Sequence, residues 1–150
     1  MSHSTTLQET PFLEKFKGGF TGILRWHQLD ELWKTILAAG QDDWYIYPIG
    51  EHPPVVPCTT EQLSTFITEI DKLLRKDHEE NYCGIVYVDD KQNPGFVKIY
   101  DPHNLGHVCG SNGSPPPLPG WVLSRLRPVD LQAAMPPTGN RRKWWQKIFN

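Results

Sequence analysis

Between Thr59 and Leu74 the chain carries the signal that most restricts its fold. Thr59 stands three residues before Gln62 in the spacing of a capping box, in which each side chain satisfies the other residue's backbone amide. Leu63, Phe66, Ile67, Ile70, Leu73 and Leu74 then recur on one face of a 3.6-residue period. This predicts a helix over residues 60–77. Lys72, Arg75 and Lys76 favour the negative end of its dipole, and His78 to Asn81 reads as the exit. A helix with one apolar face must bury it against another layer, so the rest of the chain has to supply that layer.

Part of it is a second stripe. Leu29, Leu32, Trp33, Ile36 and Leu37 predict an amphipathic helix over residues 27–39, with Gly40 as a left-handed stop. The remainder is of β type. Trp44 to Ile49 is aromatic and β-branched, and Pro48 places that run at a strand end or a sheet edge. Tyr82 to Val88 and Phe96 to Tyr100 flank the turn-rich Asp89 to Gly95, the pattern of a hairpin with a longer loop. Trp121 to Leu126 can add a further strand. The expected fold is α+β: a small, mostly antiparallel sheet with two amphipathic helices packed on one face and long Pro- and Gly-rich loops. Strand order is not readable from these patterns.

At 150 residues the chain has room for one ordinary domain, and no repeat of 20–50 residues is visible. Residues 20–132 are assigned to that domain. Residues 1–19 are read as a poorly ordered N-terminal segment that docks a short apolar stretch around Phe12, Leu13 and Phe16. Residues 133–140, with Pro136, Pro137 and Gly139, form a linker, and residues 141–150 a separate tail. Fourteen Pro and twelve Gly would suit disorder, but six Trp supply more core-forming surface than a disordered chain carries. Ordered loops packed on aromatic rings reconcile the two.

The tail Arg141-Arg142-Lys143-Trp144-Trp145-Gln146-Lys147-Ile148-Phe149-Asn150 is the most informative feature for function. Wound as a helix, it sets Trp144, Trp145, Ile148 and Phe149 on one side and its basic groups on the other. It holds four cations and no carboxylate side chain. With those four set aside, eleven Lys and Arg face seventeen Asp and Glu, so the rest of the chain carries −6 within an overall −2. Such a segment suits a groove on a protein partner, an anionic membrane surface or the acidic face of its own body. Ten residues make a marginal helix alone, so docking must supply the order. The balance of −2 offers no global basic field for nucleic acid, which is excluded as a partner.

The densest group of potential ligands is Asp101, His103, His107 and Cys109, within nine residues after a strand. Zinc or another transition metal would accept that set, with His52, Cys58 or Cys83 arriving from elsewhere. The spacing matches no established metal motif, and Asp101 before Pro102 also fits the start of a structural turn. Cys58 stands just before a helix N-terminus, where backbone amides can depress a thiol pKa. Cys83 alternates with Ile85 and Tyr87 and reads as a small buried hydrophobe. Three cysteines without a C-x-x-C pair argue against a disulfide framework and for reduced thiols in the cytoplasm.

The carboxylates of Asp71, Asp77, Glu79, Glu80, Asp89, Asp90 and Asp101 read as a solvated acidic surface. No phosphate-cradling glycine motif occurs. Ser114 to Trp121 should adopt polyproline II, either as a docking ligand or as an ordered crossing that delivers Trp121 to the core. The crossing is favoured, because apolar strand residues follow at once. No complete catalytic set is present. The sequence therefore reads as a small accessory or adaptor protein with no predicted cofactor, binding a protein partner through its body and tail. It is expected in the cytoplasm, with peripheral contact at the inner membrane face as a variant. The alternative reading is a metal- or cofactor-binding protein, an enzyme included, built on the loop from Asp101 to Cys109.

Overall fold

The computed structural model describes residues 10–39, 42–78, 80–103 and 118–131. Five antiparallel strands form one sheet: β1 (Thr21–Ile23), β2 (Tyr45–Pro48), β3 (Val86–Val88), β4 (Phe96–Ile99) and β5 (Trp121–Ser124). Their spatial order is β1-β3-β4-β5-β2. The helices are α1 (Pro11–Phe16), α2 (Trp26–Ala38) and α3 (Thr60–Asp77).

The period of two along each strand sorts the core into two halves. In register across the sheet, Ile46 faces Leu123, Leu123 faces Val97, and Val97 faces Val88. These residues, with Ile23, Val86, Ile99 and Trp121, join Leu29, Trp33 and Ile36 of α2 and the whole apolar face of α3. All six residues of the α3 stripe are buried, and Thr59 and Gln62 close the capping box. The helix spans the residues its pattern predicts. α2 begins one residue earlier than its stripe suggested, where Gln28 Oε1 accepts from the amides of Leu24 and Arg25. Its proposed stop, Gly40, lies outside the described residues.

The opposite sheet face is also covered. Tyr47, Phe96 and Val122 point there and meet Phe12 of α1 together with Leu118 and Leu131. Here the structure adds to the sequence reading, which assigned no element to residues 1–19. Thr10 accepts from the Leu13 amide as an N-cap, Pro11 opens the helix, and Phe12 is fully buried. The Phe12 ring lies 5.0 Å from that of Phe96. Lys98 Nζ donates to the Phe16 carbonyl at 2.7 Å and sits 4.1 Å from the centre of the Phe20 ring, so the segment is pinned to β4. Fewer than two turns of helix carry too little apolar spacing for a periodicity argument, which is why only docking reveals this helix.

The hairpin between β3 and β4 is confirmed, with Val86 opposite Ile99. β3 is shorter than the run from Tyr82 to Val88: residues 82–85 precede the strand, although Cys83 and Gly84 still donate to the carbonyls of Leu24 and Ile23. Gly84 takes φ +69°, a value that favours glycine, and the Tyr82 ring lies over it. Pro48 ends β2, and β2 is an edge strand, so both positional readings of that proline hold together. At the other end of the proline-rich segment, Leu118 and Pro119 are buried and lead directly into the fully buried Trp121.

Candidate functional site

Asp101 lies just beyond the C-terminal end of β4, and burial leaves its side chain few outlets. It is 5% exposed, and its Oδ1 accepts from the His103 amide at 2.9 Å across Pro102. A one-turn helical segment at Pro102 and His103 follows, as an acidic cap before a proline favours. The His103 ring turns the other way, its Nε2 lying 3.1 Å from Oδ2 of Asp77 at the last residue of α3. The two described members of the proposed ligand set thus have protein partners and are brought together by a turn. His107 and Cys109, the other two, lie outside the described residues. Of the distant ligands considered, His52 is exposed, Cys58 half-buried and Cys83 fully buried. Among the described residues no group of three or more His, Cys, Asp or Glu side chains is placed to hold a metal ion.

Cys58 corrects its sequence reading. Its position ahead of α3 suggested a depressed thiol pKa, but burial pushes the thiol up to about 11, with the carboxylate of Asp42 adding to the shift. The helix end is occupied instead by Asp42, whose Oδ1 accepts from both the amide and the hydroxyl of Thr60. Desolvation also raises the Cys83 thiol, in keeping with its place among apolar side chains. Neither described thiol is disposed to act as a nucleophile near neutral pH.

The carboxylates read as a solvated surface divide in two. Glu80 and Asp90 are exposed, and Glu79 lies outside the described residues. Asp71, Asp77, Asp89 and Asp101 are held in the structure. Asp89 Oδ1 accepts from the amides of Asp90, Gly95 and Phe96, while Lys15 approaches its Oδ2 at 3.4 Å. Asp71 accepts from Trp33 Nε1 and from Arg75 Nε, tying α2 to α3. A strand-like or helical pattern gives no warning of the long-range partners, because the Trp33 indole, the Lys15 ammonium and the His103 ring reach Asp71, Asp89 and Asp77 from other parts of the chain.

A cleft of about 560 Å³ opens between the loop Asp89–Gly95, Lys15 of α1 and Arg125 after β5. Arg125 donates through Nε and Nη2 to Oδ2 of Asp43, which also lines the cleft, at 2.9 and 2.7 Å. Its lining is mainly charged and polar. Compared with family models, curated proteins and solved structures, the chain matches none. Its site must be read from its own residues.

Sequence reasoning missed the exposed apolar side chains of the body. Val55 and Val56 stand about two-thirds exposed on the loop after β2, between Pro54 and Pro57. Leu24 and Tyr82 are exposed beside edge strand β1, where the Tyr82 ring meets His78 edge-on and His78 meets Trp26. The loop composition carried a weak signal for the valines, since prolines keep that run out of a strand or helix, although Leu118, also set between prolines, is buried. Leu24 and Tyr82 had none. The tail residues Arg141 to Phe149, proposed for partner binding, lie outside the described residues. No helix among the described residues is long and apolar enough to cross a membrane.

Proposed function

We propose that this chain is a small accessory or adaptor protein that binds a protein partner through its α+β body and its basic aromatic tail. The observation that carries the reading is the segregation of charge and apolar surface along the chain. Residues 141–150 hold four cations, two Trp, Ile148 and Phe149 with no carboxylate side chain, after a body of net −6. Exposed together, these apolar side chains would form a patch of the kind that a soluble protein normally covers. Two features of the body agree with it. Both faces of the sheet are packed by residues within the stretch 12–131, and Leu24, Val55, Val56 and Tyr82 remain exposed outside those cores. In this reading the protein works in the cytoplasm with its thiols reduced.

The test is a pull-down that compares the full chain with one ending at Thr138, read by mass spectrometry and repeated with the purified partner. Specific partner binding by the full chain that weakens at least tenfold on truncation supports the proposal. Equal capture by both chains, or none by either, overturns the role given to the tail. Metal content of the same preparation decides the competing reading. Near-stoichiometric zinc that disappears with His103→Ala would place the chemistry in the Asp101 loop instead.

A further inference from the structure

No further inference is drawn: the strongest candidate, the polar cleft between the Asp89–Gly95 loop, α1 and Arg125, is an acidic cluster whose carboxylates are held by the protein's own amides and cations, and nothing in it points to a ligand.

Discussion

Phe66 and Cys58 sit 8 residues apart around the start of α3, yet burial acts on them in opposite ways. For Phe66, fully buried at the centre of the α3 stripe, exclusion of water is the stabilising term. Phe66→Ala is expected to cost about 3–5 kcal/mol, the loss of a large buried ring plus the cavity it leaves. Denaturant melts check it, and a loss below about 1 kcal/mol would place the ring outside the core. For Cys58 the same exclusion of water disfavours the thiolate and raises the pKa from 9.0 to about 11. The folded state therefore holds the proton longer than the unfolded state. Any stabilisation from this group is complete below about pH 9 and is lost as pH rises from 9 toward about 11. Alkylation by iodoacetamide at pH 8, followed by peptide mass mapping, should label Cys58 in the native protein several-fold more slowly than in denatured chain. Equal rates would show that the thiol is not shielded.

At the scale of elements, α2 and α3 are joined by a polar clamp as well as by their apolar faces. Arg75 donates to Asp71 on its own helix and to Asp30 on α2, and its guanidinium lies 5.0 Å from the centre of the Trp26 ring. Asp71 also receives the indole N–H of Trp33, whose side chain is buried. The two ends of the clamp differ in what their removal leaves behind. Asp71→Ala orphans a buried donor, which costs about 1–3 kcal/mol. Arg75→Ala removes contacts of a partly exposed cation and should cost about 1 kcal/mol or less. Thermal or urea melts of the two variants should therefore rank Asp71→Ala as the more damaging, and the reverse order would refute the assignment of the clamp to the Trp33 contact.

α1 is bound differently. Six residues cannot sustain a helix alone, so its order depends on Phe12 among Phe16, Tyr47 and Phe96. Phe12→Ala is expected to cost about 3–5 kcal/mol and to raise amide exchange in residues 12–16 first. A change confined to that helix with unchanged global stability would mean that the second core closes without it.

For the molecule as a whole, deletion of residues 139–150 separates the ways in which the tail can be covered. With a partner as the cover, the truncated protein keeps its stability within about 1 kcal/mol, because the described cores are assembled upstream of Pro136. Docking of the tail on its own body predicts a loss of several kcal/mol instead. Co-sedimentation with anionic vesicles tests the membrane variant. Four cations near such a surface contribute about 1 kcal/mol each, so vesicle binding would be present at low salt and weaken as salt rises. A stable truncated body and no vesicle binding by the full chain is the outcome expected of an adaptor.

What could be read from the sequence alone follows the range of the interactions concerned. The α3 stripe and its capping box, the α2 stripe and the β3–β4 hairpin are specified by neighbours within a few residues, so their patterns announced them. The class of fold followed, since two apolar helix faces and several β-type runs admit few layered solutions. The tertiary structure alone decided the strand order, in which β5 separates β4 from β2, because that pairing joins residues such as Tyr45 and Ser124 that no local pattern links. It also decided that α1 forms at all, since its stabilisation comes from rings on β2 and β4. At the candidate site the ligand types in the Asp101 loop were legible, but their partners were not. Asp77 reaches His103 from a helix end 26 residues earlier in the chain, and Cys58 acquires its raised pKa from burial that only packing creates. Residue types and spacing determine what a side chain is able to do. Contacts brought together across the chain decide which of those things it does, because desolvation and hydrogen-bond supply are properties of the packed site and not of the sequence around it.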